Sequence, residues 1–217
     1  MKGQAVERIS IRWLPDPAFE DTRTVAINVG GYFIDLRTTK EGPSIQWSHA
    51  GELTILKDEP FTCRWTHIID SLGFTDPDEA SFTKLPNGDE LEVGETKCPH
   101  KNDAMTPYEE VWRDVTAHDK PEEPSWILRS SEGNTFIGRV GNIYQANTKG
   151  GNGFAARRED FVQGTGEWDI SFDSGNSGAI PRVCAVLKEL KQKPVWSVGE
   201  KVAIEGQEFS IIALEEN

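Results

Sequence analysis

From Phe61 to Ile69 the chain alternates without interruption. Phe61, Cys63, Trp65, His67 and Ile69 fall on one face, and Thr62, Arg64, Thr66 and Ile68 on the other. Successive side chains leave a pleated strand on opposite sides, so this period of two specifies a half-buried β-strand. A helix would scatter the same residues around its axis. The apolar face also carries a histidine between aromatic neighbours, which places a titratable ring where a pocket would form.

The same pattern recurs through the first half. Arg8 to Trp13 alternates and stops at Pro15-Asp16-Pro17. Val25, Ile27 and Val29 alternate with Thr24, Ala26 and Asn28, and Gly30-Gly31 turns the chain into Tyr32, Ile34 and Leu36. Those apolar residues are assigned to the core, and Phe33, Asp35 and Arg37 to the opposite side. Ile45, Trp47 and His49 form another inward set, with Leu53 to Leu56 as a separate short strand. After the acidic loop Asp76-Pro77-Asp78-Glu79, Asn87-Gly88 between two extended runs signals a hairpin, because both positions tolerate φ > 0. Thr106-Pro107-Tyr108-Glu109 has the form of a helix start, and Tyr108, Val111, Trp112 and Val115 follow at helical spacing. The sequence therefore predicts a helix there.

Asp119-Lys120-Pro121-Glu122-Glu123-Pro124 is charged, proline-bounded and devoid of apolar residues, which predicts a linker over 119–124. It separates an N-terminal domain, 1–118, from a C-terminal domain, 125–217. The second half again reads as strands, at 125–130, 135–140, 142–147, 154–159 and 166–172. An amphipathic helix over Ile180 to Leu190 and two or three strands in the tail complete it. The expected fold is all-β: two lipocalin-like antiparallel barrels with one or two short helices. Barrel closure removes exposed sheet edges, which suits many short strands.

With 23 Lys and Arg against 36 Asp and Glu, the net charge of −13 argues against binding nucleic acid through its phosphates and against anionic membrane surfaces. No apolar run approaches the ~20 residues of a spanning helix, and Met1 to Arg12 lacks the apolar stretch of a secretory signal. Cys63, Cys98 and Cys184 are odd in number and widely spaced, so free thiols in a reducing cytoplasm or nucleus are expected.

The residues available for chemistry are few. His49 and His67 share apolar strand faces with Trp47 and Trp65, and with Tyr32 they are the candidate ligand-binding residues. A neutral imidazole there would orient a ligand or act as a general base; the commoner role of such a ring is a core histidine with its hydrogen bonds satisfied. Asp35, Asp70 and Arg64 are read as solvated or ion-paired residues on the opposite faces. Cys98 and His100 supply only half of a zinc site, so no metal is expected. The glycines at 150, 151 and 153 lack the Gly-Lys-Ser/Thr of a phosphate loop and are read as a turn. No catalytic signature and no cofactor motif appears.

Several blocks resemble the fungal Hrr-interacting (HRI) protein family: Ile9 to Trp13, Gly31 to Arg37, Cys63 to Ser71, Phe82 to Asp89 and Tyr108 to Arg113. The second half is similar less closely, through Phe136 to Arg139 and Ala156 to Glu159. The resemblance implies two lipocalin-like barrels, a cytoplasmic or nuclear location and association with a casein-kinase-1-type kinase. It supplies no catalytic residues. Ser81 and Ser125 follow acidic residues and are the candidate phosphorylation sites of such a kinase. The expected function is a non-enzymatic interaction or binding protein for a small hydrophobic ligand, as a monomer or homodimer. The alternative is a cofactor-free cyclase or isomerase that uses a barrel pocket as its template.

Overall fold

The computed structural model describes residues 2–117, 124–151, 153–174, 177–178, 180–192 and 195–215. Eight antiparallel strands close a barrel: β1 (Gln4–Trp13), β2 (Thr22–Val29), β3 (Tyr32–Thr39), β4 (Ile45–Asp58), β5 (Phe61–Asp70), β6 (Asp78–Lys84), β7 (Glu90–Cys98) and β8 (Ala104–Asp114). Each strand pairs with the next, and β8 returns to pair with β1. The two short strands expected at 45–49 and 53–56 are one long β4, with register shifts where it pairs with β5.

The helix expected after Thr106 is the closing strand β8. Thr106, Tyr108, Glu110 and Trp112 are buried at a period of two, and the segment pairs with β1 on one side and β7 on the other. Two full ladders of backbone hydrogen bonds outweigh the local capping pattern, since helix propensity is a weak prior.

The second half forms a seven-stranded sheet from β9 (Ser125–Ser130), β10 (Thr135–Val140), β11 (Ile143–Gly150), β12 (Gly153–Val162), β13 (Glu167–Asp173), β14 (Lys201–Ile204) and β15 (Gln207–Glu215). Its order is β13-β12-β11-β10-β9-β15-β14, which leaves β13 and β14 as edges. Among the described residues this sheet is open, so the expected second barrel is not found. One face is covered instead by helix α1 (Val183–Lys191), close to the helix predicted from sequence. Val183, Val186 and Leu190 pack there against Trp126, Leu128, Tyr144 and Phe209. Apart from Pro124, the predicted linker lies outside the described residues. No described helix is long and apolar enough to cross a membrane.

The other face of the open sheet docks on the outside of the barrel. Val25, Ile27, Ile34, Ala50 and Ile69 meet Ile127, Phe136, Val140 and Ala213 in one buried cluster. Gln145 donates to the Val25 carbonyl at 2.9 Å, and Asn147 to the carbonyls of Asp35 and His49 at 3.3 and 3.4 Å. Consequently β2 and β3 turn their apolar residues outward, and Asn28, Phe33, Asp35 and Arg37 face the barrel interior. This reverses the orientation expected from sequence. The usual assignment of apolar side chains to the barrel lumen fails because a second layer covers the barrel's outer face.

Gly138 of β10 sits at the tightest point of this contact. A Cβ there would lie 2.9 Å from side-chain atoms of both Ile127 and Ile27, and 3.1 Å from Ile34. Gly138→Val should therefore destabilise the protein by about 1–3 kcal/mol through overpacking. Thermal or urea unfolding measures this, and an unchanged midpoint would contradict the assigned contact.

Candidate functional site

The barrel encloses a cavity of about 270 Å³. Trp13, Phe33, Trp47, Trp65, Tyr108 and Trp112 give it an aromatic wall. Charged groups line it too, because the outward-facing positions of β2 and β3 are taken by the docking contact.

These charges form a chain. Arg8 donates to Glu20 at 2.8 Å and to Glu110; Arg37 also donates to Glu110, at 3.3 Å, and to Asp35 at 3.1 and 3.0 Å. Charge-assisted contacts of this kind are strong and geometrically specific, and removal of one partner would leave a buried charge uncompensated. Burial opposes the Arg37 charge, but Asp35 and Glu110 outweigh it and raise its pKa. The same guanidinium lies 4.5 Å from the centre of the Trp47 ring, a cation–π contact.

Glu92 has a different environment. Burial, and then the neighbouring charge of Glu110, push its carboxyl up to about 8. The Tyr108 hydroxyl donates to it at 2.6 Å. Burial and the Glu110 charge both favour the neutral acid form of Glu92 on the cavity wall.

The two candidate histidines are brought together, with ring centres 4.4 Å apart, and are pushed in opposite directions. His49 stacks on Trp47 at 4.3 Å; burial, His67 and Arg37 lower its pKa well below the usual value. Burial also disfavours charge on His67, but Asp70 and Asp78 outweigh it and raise its pKa to about 9. The carboxylates stand 3.1 Å from Nδ1 and 3.2 Å from Nε2. They lie off the ideal N–H directions, so the contacts are ion pairs rather than well-aligned hydrogen bonds.

A β-bulge creates this arrangement. Ala50 pairs with Ile69 and Gly51 with His67, which leaves Ile68 as an extra residue. Gly51 admits the close approach, since a Cβ there would lie 1.8 Å from the Thr66 carbonyl oxygen. Beyond the bulge the alternation changes phase. Ile69 faces the docked sheet, and Asp70 joins His67 on the inner side. Asp70 is therefore buried rather than solvated. It accepts from Trp47 Nε1 at 2.8 Å and from the Leu72 and Phe74 amides at 2.7 and 3.2 Å.

Trp47, His49 and Trp65 line the cavity, and His67 stands directly behind His49. Tyr32 is placed elsewhere, half-buried against the cluster between barrel and sheet. Asp35 is ion-paired but buried, whereas Arg64 is exposed and pairs with Glu79. Cys98 is buried with Ile11, Trp13 and Tyr108, and His100 packs on Phe19. Sequence reasoning did not single out Arg8, Arg37, Glu92, Glu110 or Asp78. The signal for Glu110 was its place between Tyr108 and Trp112 at a period of two, whereas a bulge between Arg8 and Ser10 puts Arg8 out of phase with Ile11 and Trp13.

The fold and site define an antiparallel barrel, backed by a second sheet, with an aromatic cavity crossed by buried charge. The chain belongs to the family described as Protein HRI1, which it matches over residues 4–212. It is similar to the crystal structure of uncharacterized protein YLR301w from Saccharomyces cerevisiae, with 14% identity and a TM-score of 0.77. That match covers 99% of this chain and 100% of the other, and shows the shared fold. No curated protein matches the chain.

The raised pKa of Glu92 fixes the sign of a pH effect. From its ordinary value near 4.5 to about 8, the unfolded chain releases this proton while the folded protein retains it. The stability contribution present at low pH is therefore lost as pH rises through that window. Glu92→Gln keeps an acceptor for Tyr108 and should flatten the fall in melting temperature across roughly pH 5 to 8, the span that burial of this carboxyl opens. Identical profiles for the two proteins would contradict the assignment.

Proposed function

We propose that the chain is a non-enzymatic binding protein that holds one small, largely apolar ligand with a polar end inside the barrel. The observation that carries this reading is the pairing of an aromatic cavity with unpartnered buried polar atoms. Asn28 Oδ1, Asp35 Oδ1 and His49 Nδ1, on the neighbouring strands β2, β3 and β4, lack hydrogen-bond partners among the described residues, and all three residues border the cavity. Buried polar atoms are normally satisfied, so these are natural contacts for a guest. An apolar wall with a few convergent polar groups is the usual form of a ligand site.

An anilinonaphthalene sulfonate dye tests the reading, because the cavity tryptophans report its entry through energy transfer. Saturable binding with one site is expected, weakened about tenfold by Trp65→Ala and by His49→Ala, a loss of roughly 1.4 kcal/mol each. Binding that is equal in all three folded proteins would count against the cavity as the site.

Glu92 favours a second reading, a cofactor-free cyclase or isomerase. A carboxyl held toward its protonated form is a suitable proton donor, and His49, held toward its neutral form on the same cavity, is a suitable acceptor. Conversion of a bound ligand that Glu92→Gln abolishes without loss of binding would select this reading over simple binding.

Association with a casein-kinase-1-type kinase, in the cytoplasm or nucleus, rests on the family resemblance. Ser81 is half-buried on β6 and its hydroxyl contacts that of Thr62 at 3.0 Å, whereas Ser125 is fully buried. Incubation of the folded protein with such a kinase should therefore place phosphate on Ser81 and not on Ser125, as read by mass spectrometry. Absence of phosphate on Ser81 would remove it as a site.

A further inference from the structure

We propose that His49, His67 and Asp78 form a binding site for a divalent transition-metal ion of the zinc or cobalt class on the cavity wall. Each residue offers one donor atom, and the three donors all lie within 4.8 Å of one another. Tetrahedral zinc holds N and O donors at about 2.0–2.1 Å, which separates any two of them by roughly 3.3 Å. His67 Nε2 and Asp78 Oδ2 already stand 3.2 Å apart. Only a modest approach by His49 is needed to complete a three-donor face.

Two further observations point to a metal. His49 is 4% exposed, and its Nδ1 has no hydrogen-bond partner among the described residues. This nitrogen is therefore free to take a ligand in a place where water has little access. The opposite nitrogen of His67, Nδ1, faces Asp70 at 3.1 Å, and Asp70 is itself fixed by Trp47 and two backbone amides. A carboxylate on the non-ligating nitrogen is the outer-shell partner that metal-binding histidines usually have, because it sets the tautomer and ring orientation. The Ile68 bulge is what places His67 and Asp70 on one face, so the backbone irregularity and the site share one cause.

Two imidazoles and one carboxylate suit first-row transition ions rather than magnesium or calcium, which prefer all-oxygen shells. His49 and Asp78 both border the cavity. A bound ion would keep its open position toward that space, where a ligand's anionic or carbonyl end would reach it.

The test uses the full-length protein, stripped with a chelator and titrated with Co(II) and with Zn(II) by calorimetry and visible absorption. One equivalent is expected to bind, with a d–d absorption band for Co(II) and no response to Mg(II). Asp78→Asn, at a half-buried carboxylate, and His49→Gln should each weaken binding by about tenfold or more, while Asp70→Asn should weaken it roughly 10–100-fold through its hold on His67. His100 and His118 are the remaining histidines, and their double replacement by alanine should leave binding unchanged. Circular dichroism of each variant separates lost binding from lost folding. Absence of saturable Co(II) or Zn(II) binding by the wild-type protein overturns the proposal. So does equal binding by folded Asp78→Asn and His49→Gln. Dye binding without metal binding would overturn this site alone and leave the organic ligand reading standing.

Discussion

The contact between the barrel's outer wall and the open sheet is the constraint on which the rest of the molecule depends. Ile27 and Ile34 reach across to Ile127 and Phe136 and are fully buried there. A strand has two faces, so the side chains between these residues have no choice but to enter the barrel. Asn28, Asp35 and Arg37 are placed inside for that reason. The lumen is consequently not a filled apolar core, and its charges must find partners in one another. Arg8, Glu110, Arg37 and Asp35 do so in a continuous chain, which holds the lumen open where apolar side chains would have closed it.

The lumen and the wall behind it hold two kinds of titrating group. Glu92 and His49 are driven toward their neutral forms by burial, and His67 toward its charged form by two carboxylates. Opposite states 4.4 Å apart, between rings, need a backbone that places them reproducibly. The Ile68 bulge and the glycine at position 51 provide it. The polar site and the strand irregularity are thus two aspects of one local feature.

Much of this was legible in the residues. Strand alternation identified nearly every element of the first half and put His49 and His67 on apolar faces beside Trp47 and Trp65; that the two rings meet is seen only in the fold. Four things were not legible, each for a physical reason. The segment after Thr106 satisfies helical and extended patterns alike, and only barrel closure decides between them. Inside and outside were exchanged for β2 and β3, because periodicity reveals that two faces differ but not which neighbour each will meet. Asp70 was assigned to the wrong face because a single inserted residue changes the phase of everything after it. The open second sheet follows from α1, whose apolar stripe covers the face that a closed barrel would have turned inward.

The central claim is that docking of the second sheet leaves the barrel with an open, polar-ended cavity that receives a small molecule. A crystal structure of protein purified from its native cells tests it most directly. The account predicts density for a guest among Trp47, Trp65 and Phe33, in contact with Asp35 or His49. A cavity closed by Arg37 or by the surrounding tryptophans, with no room for a guest, would contradict it.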